Sequence, residues 1–253
     1  MKPVTVATLI CITVASAIRA DDDTFSLFGA IGAGFGMGGR LYTSTTIENG
    51  NTHEEDHFLN YGNGMKIDLG CRYFLMEDVA LLGSFEYSGG IPKLEHKEQV
   101  TGSQTTTEHS FHMFGVKVCV APRFEVLDLI DMYTGAGIGL FWNARSFETK
   151  NSTLTTIVSE YSGKITSAPT LGFVGLLGAD YPLNDKLTLF GEVAFEQVRF
   201  NLKRYVIEKS SASGFPTGTT YYSEDDSNNL PPEKVPGSNW QIRFGVRFAI
   251  ITD

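Results

Sequence analysis

The chain has 253 residues, 42% of them hydrophobic, with a mean hydropathy of −0.05 and a formal net charge of −9. That average is too polar for a bundle of membrane helices, and the acidic balance excludes a nucleic-acid partner, which needs a basic patch. The length suits a single domain. Glycine (27) and aromatic residues (18 Phe, 10 Tyr, 2 Trp) are plentiful. Glycine is poor in helix interiors and useful at crowded or bent places in β-sheets.

Residues 1–20, MKPVTVATLICITVASAIRA, have the layout of a signal peptide. Lys2 is the basic start, Val4 to Val14 is apolar, and Ala15-Ser16-Ala17 is a cleavage site, with Ala20 a second. Ile10 is too large to make Cys11 a lipoprotein cysteine. The expected division is a signal peptide over 1–20 and one barrel domain over 21–253. No later run of about 18 apolar residues is present to form a membrane helix.

Eight strands are expected in chain order, at 25–42, 61–75, 79–88, 109–124, 132–147, 165–181, 187–204 and 238–250. They are rich in Val, Ile, Phe, Tyr and Gly and mostly alternate with period two. Short connections follow the second, fourth and sixth strands: Met76-Glu77-Asp78, Glu125 to Asp131, and Pro182 to Lys186. Long ones follow the first, third, fifth and seventh: 43–60, 89–108, 148–164 and 205–237. Short turns on one side, long loops on the other and an even strand count describe a transmembrane β-barrel. The fold expected is therefore all-β, an eight-stranded antiparallel up-and-down barrel with its long loops outside the cell.

Alternation divides each strand into two faces. The last strand sets Trp240, Ile242, Phe244, Val246, Phe248 and Ile250 against Gln241, Arg243, Gly245, Arg247 and Ala249. The second sets Met65, Ile67, Leu69, Cys71 and Tyr73 against Lys66, Asp68, Gly70 and Arg72. The fourth sets Val116, Val118 and Val120 against Lys117, Cys119 and Arg123, so Cys71 and Cys119 fall on opposite faces and do not pair. A charge at the bilayer midplane costs about 2–4 kcal/mol, so in a membrane the charged set faces inward. A soluble barrel would reverse the faces. Aromatic positions favour the membrane: Tyr42, Tyr61, Tyr87, Phe111, Phe147, Phe200, Tyr205 and Trp240 near the loop ends, and Phe25, Tyr73, Phe124, Tyr133, Tyr181 and Phe248 near the turn ends, read as two interfacial girdles.

An eight-stranded bore is only wide enough for side chains to fill it, so inward charges need partners. Glu192 and Glu196 alternate inward on the seventh strand, as do Arg243 and Arg247 on its neighbour. One antiparallel register would set Glu196 opposite Arg243 and Glu192 opposite Arg247. Glu86 and Lys117 make a third expected pair, joined by Asp68, Lys66 and Arg72. The lumen reads as an ionic plug; the alternative is a small gated pore.

On this pattern of strands and faces the chain resembles the small outer-membrane barrels: the transmembrane domain of OmpA, OmpX and the opacity proteins. The resemblance implies an outer-membrane location and insertion by the barrel-assembly machinery, whose C-terminal signal is matched by Arg243, Gly245, Phe248 and Ile250. The usual final aromatic is absent, and Ile251-Thr252-Asp253 follow. No peptidoglycan-binding domain is expected after the barrel. Lipopolysaccharide is an expected neighbour, and a host or surface ligand is the expected partner of the loops. The acidic runs Glu54-Glu55-Asp56 and Glu224-Asp225-Asp226 read as solvated loop tips.

Three other functions compete. Some such barrels modify lipid A, and His109, Ser110 and His112 lie near Glu108 at the outer end of the fourth strand. Neighbours on a strand point to opposite faces, however, so His109 and Ser110 do not share a site, and no catalytic residue is expected. A lipocalin-like ligand carrier would explain the strands and signal but not the short–long rhythm. A solute pore would need a looser lumen. The glycine run 29–39 has G-x-G-x-x-G-like spacings, but it alternates within a strand, which makes it lumenal packing rather than a phosphate loop. No cofactor or metal is expected, since no C-x-x-C or Cys/His spacing occurs.

Overall fold

The computed structural model describes residues 25–37, 40–48, 51–58, 61–89, 94–100, 103–127, 130–153, 157–211, 216–221, 230–231 and 233–250. The signal-peptide stretch and Glu224-Asp225-Asp226 lie outside these residues, as do the side chains of Glu54-Glu55-Asp56 and Tyr42. In chain order the strands are β1 (Phe25–Gly36), β2 (Arg40–Glu48), β3 (Asn51–Phe58), β4 (Gly64–Met76), β5 (Val79–Gly89), β6 (Leu94–Val100), β7 (Ser103–Leu127) and β8 (Ile130–Thr153). They continue as β9 (Ile157–Ser167), β10 (Thr170–Asn184), β11 (Leu187–Gln197), β12 (Arg199–Ser210), β13 (Gly218–Tyr221), β14 (Lys234–Pro236) and β15 (Asn239–Ala249).

Eight of these close a barrel in the order β1-β4-β5-β7-β8-β10-β11-β15, with β15 hydrogen-bonded back to β1. All neighbours are antiparallel. One path of directly opposed residues runs Phe25, Tyr73, Leu81, Val120, Ala136, Gly175, Phe195, Trp240 and back to β1 at Phe35. The circuit thus closes ten residues from where it began. A stagger of this size in eight strands tilts them by about 40° and leaves a bore that side chains fill.

Two tight turns are well defined. Glu77-Asp78 joins Met76 to its partner Val79, and Asp185-Lys186 joins Asn184 to Leu187. In the second, Asn184 Oδ1 accepts from the backbone N–H groups of Lys186 and Leu187, both at 3.0 Å, which is the local bonding that makes Asn a turn former. The strands run further into these turns than the sequence suggests. Met76, Glu125 and Pro182 are all strand residues, and the proline is accommodated by a register shift between Pro182 and Asn184.

The long connections are also richer in structure than expected. β2 and β3 form their own hairpin, β6 pairs with β7, and β9 and β12 to β14 continue the wall above the barrel. Pro169, which has no N–H for the ladder, separates β9 from β10 inside the expected sixth strand. The expected seventh strand breaks at Val198, whose N–H is taken by Ser238 Oγ at 3.1 Å.

Outward on the barrel are Leu27, Ile31, Leu69, Val118, Val120, Ile138, Leu140, Phe173, Leu177, Ile242, Phe244, Val246 and Phe248, all exposed. Inward are Lys66, Asp68, Glu86, Lys117, Glu192, Glu196, Arg243 and Arg247, all buried. An apolar outside around a charged inside is the reverse of a soluble barrel, and it removes the lipocalin-like reading. Strand β10, apolar on both faces in sequence, resolves into Leu171, Phe173 and Leu177 outward and Val174 and Leu176 inward.

Candidate functional site

The lumen is the part of the molecule that decides between plug, pore and enzyme. Small residues make room for it. On β1 the inward positions Ser26, Ala30, Gly32 and Gly34 are small, with Phe28 the large one among them, and a Cβ at Gly32 would come within 2.7 Å of Arg243 Cβ. The fully buried Phe141 lies in a bay of glycines, where a Cβ at Gly115, Gly139 or Gly172 would approach its ring to 2.7, 2.6 and 3.0 Å. Tyr133 covers Gly178, its direct partner across β8 and β10, in the same way; an aromatic ring over a strand glycine restores the packing that the glycine lacks.

Above these walls the charges form one network. Lys117 Nζ donates to Glu86 at 2.6 Å, Asp68 at 3.0 Å and Glu196 at 3.2 Å. Lys66 donates to Glu86 at 2.9 Å, and Gln241 and Asn239 donate to Glu86 and Glu196 at 3.3 and 3.0 Å. Arg243 reaches both Glu192, through Nε at 2.6 Å, and Asp68. Nearer the turns, Arg247 and Arg72 converge on Asp180, Arg72 at 2.5 Å. Arg247 also lies over the Phe190 ring, 3.9 Å from its centroid. Tyr133 links the two layers, accepting from Arg247 at 2.7 Å and donating to Glu192 at 3.0 Å. The five carboxylates of this network face five cations. Such balance is what a low-dielectric interior requires of ionised groups.

The expected Glu196–Arg243 and Glu192–Arg247 pairs are corrected by the register. β11 and β15 pair with Glu192 opposite Arg243 and Glu196 opposite Asn239. Alternation fixes only which face a residue takes; sliding one strand by four residues preserves every face and changes every partner. The strands are joined by a long connection, so no tight turn pins them. Arg72 is corrected too: it lies with Asp180 and Arg247, away from Glu86 and Lys117. Asp180 belongs to the network without having been singled out from the sequence, although it shares the inward parity of Val174 and Leu176, and Tyr133 belongs to it although the sequence reading set it in the inner girdle. Of the assembly-signal residues, Arg243 faces inward, Phe248 is exposed on the outside, and Ile250 lies just past β15, its N–H donating to Phe25 O at 2.9 Å.

On the loop side the lumen is stoppered by an apolar cluster. Tyr61 meets Phe111 and Phe200 edge-on at 5.5 and 5.6 Å, Phe147 stacks on Tyr205 at 5.2 Å, and Met113, Ile165, Val198, Leu202 and Val235 fill the space between. Tyr61, Phe111, Phe147 and Phe200 were expected in the outer girdle, and Tyr133 in the inner one; all five are buried. Their parity puts them inside. The outer girdle is built from outward neighbours on adjacent strands, the expected Tyr87 and Trp240 among them: Tyr87, Phe114 and Trp142 with centroids 5.2 and 5.9 Å apart, and Phe195 with Trp240 at 5.1 Å.

The group at the outer end of β7 is dispersed. His109 is buried facing inward, beside Phe111. His112 faces outward and stacks on Tyr87, with its Nδ1 2.8 Å from the Tyr87 hydroxyl. Ser110 shares an outward hollow with Glu108, Ser146 and Glu148. Replacing His109, Ser110 and His112 together by Ala is expected to leave the lipid A of expressing cells unchanged, as read by mass spectrometry; a changed acylation pattern would assign them chemistry. Among the described residues no group of His, Cys, Asp and Glu could hold a metal ion, and Cys71 and Cys119 are free thiols.

No family model matches the chain, and no curated protein matches it. Among solved structures, a major outer membrane protein from Thermus thermophilus is similar over 90% of this chain and 98% of its own, at 11% identity and a TM-score of 0.51. Neisserial surface protein A aligns over 90% of this chain and 97% of its own, at 11% identity and a TM-score of 0.45. The outer membrane protease OmpT from Escherichia coli aligns over 92% and 99%, at 8% identity and a TM-score of 0.39. The first of these shows the fold, that of an outer-membrane β-barrel, and nothing of activity.

Proposed function

We propose that this chain is a non-conducting, non-enzymatic barrel of the bacterial outer membrane that carries a strand-built platform outside the cell for contact with surface ligands. The supporting observation is the length of the wall. β7 and β8 have 25 and 24 residues, whereas crossing a bilayer takes about 9–11. At about 3.3 Å per residue much of this hairpin stands clear of the lipid, and β6, β9 and β12 to β14 widen it there. Loops serving only to connect strands need no such scaffold.

The closed bore supports a structural role over a pore. An ion has to pass both the balanced charge network and the aromatic stopper. Purified protein in planar bilayers is therefore expected to give no discrete conductance steps.

The platform is tested by deleting residues 211–231 and assaying adhesion of expressing cells to host-cell layers and matrix proteins. The deletion spares Val235, which belongs to the stopper. The barrel is expected to stay folded, seen as a band whose gel migration changes on boiling, while adhesion falls. Unchanged adhesion would remove this connection from the role.

A further inference from the structure

The outward surface changes character where β11 gives way to β12. Val198 does not continue the ladder there; its carbonyl accepts from the Gly237 N–H at 3.1 Å and from the Ser238 hydroxyl at 3.1 Å. Beside this break is an outward groove of about 640 Å³ lined by Leu171, Phe173, Gln197, Arg199, Lys234 and Pro236. Leu171 and Phe173 are 63% and 65% exposed and belong to the lipid-facing set. Arg199 and Lys234 stand at the loop-side rim on paired strands, with Arg199 opposite Pro236 and Lys234 opposite Asn201. The Phe195–Trp240 pair of the girdle lies just below, at the level where Trp marks the membrane interface.

Two features separate this groove from an ordinary solvated surface. First, its cations lack acidic partners among the described residues. Two other exposed loop-side lysines have them: Lys150 lies 2.5 Å from Glu148 and Lys164 lies 2.8 Å from Glu208. Lys203, Arg204 and Lys209 further along β12 are exposed and show no such partner among the described residues either, so what sets Arg199 and Lys234 apart is their place on the lining of the groove. Second, the charges and the apolar wall meet at one height. A free anion would use the cations and leave Leu171 and Phe173 uncovered. A bare hydrocarbon would do the opposite.

We infer that the groove binds a phosphate-bearing lipid of the loop-side leaflet, with its phosphate on Arg199 and Lys234 and an acyl chain along Leu171 and Phe173. Its volume is in the range of small-ligand sites, and basic rims beside apolar membrane surface are how proteins hold anionic headgroups. The inference rests on the membrane reading above.

The test is native mass spectrometry of the full chain in detergent, with diphosphoryl lipid A as probe. Wild type and the Lys150→Gln control are expected to retain it. The double variant Arg199→Gln/Lys234→Gln is expected to retain it roughly thirtyfold less, lipid A stripped of its phosphates is expected not to be held, and millimolar inorganic phosphate is expected not to displace the intact lipid. Equal retention by the double variant, or of the stripped lipid, overturns the site; displacement by free phosphate reassigns the cations to a soluble anion and overturns the lipid. The boiling-dependent gel shift reports whether each variant is folded, and each single variant, expected to lose part of the binding, is scored in the same way if the double one is not. Insertion of wild type into lipid vesicles is measured separately: its failure removes the membrane reading, whereas lost discrimination between variants with insertion intact removes only this site.

Discussion

Lys117→Met lowers the unfolding free energy by about 3–5 kcal/mol, the usual cost of removing one partner from a buried ion pair. The ammonium bonds Glu86, Asp68 and Glu196 at once, so its loss leaves three carboxylates facing one another with Lys66 and Arg243 as the remaining cations nearby. The measurement is urea unfolding in lipid vesicles, followed by the fluorescence of Trp142 and Trp240, both on the outer surface. Adding Glu86→Gln to the variant is expected to recover part of the loss, because it removes one of the uncompensated charges. A Lys117→Met protein as stable as wild type would mean that the network is not formed in the membrane.

Ile31→Arg is expected to cost about 2–4 kcal/mol in lipid, the penalty for a cation on the bilayer-facing side near the midplane. Ile31 lies at the centre of β1, 68% exposed, between Ile67 on β4 and Phe244 on β15. In water the same substitution on an exposed strand position would change stability little or improve solubility. Urea unfolding in vesicles therefore separates the two environments directly: stability equal to wild type would place this surface in water and refute the membrane reading.

Much of the fold was legible because two periodicities agree. Alternation within strands such as β15 and β4 assigns every residue to a face, and the alternation of short and long connections orients the strands. Both depend on local chemistry, such as the Asn184 turn. What failed depended on geometry that no local signal carries. The β11–β15 register is set by the stagger of the whole closed sheet, so Glu192 rather than Glu196 meets Arg243. Tyr61, Phe111, Phe147 and Phe200 were misplaced because position along a strand was used where parity should have been. Phe111, for example, shares the parity of Lys117 and Cys119, and that alone puts it inside. The strands within the long connections were hidden because stretches rich in Thr, Ser and Glu offer no apolar alternation to read. The groove at Arg199 and Lys234 joins residues far apart in the chain and has no sequence signature.

Arg243 and Arg247 are both carried by β15, the strand that seals β1 to β11. Until it docks, Asp68, Glu86, Asp180, Glu192 and Glu196 have only Lys66, Lys117 and Arg72 for company. A sheet without β15 would thus carry an excess of two negative charges along its inner face, and it is the pairing of β15 with both β1 and β11 that brings in the two guanidinium groups to balance them. Closure of the wall and neutrality of the interior are therefore a single condition in this barrel: without β15 the sheet would be open and unbalanced at once.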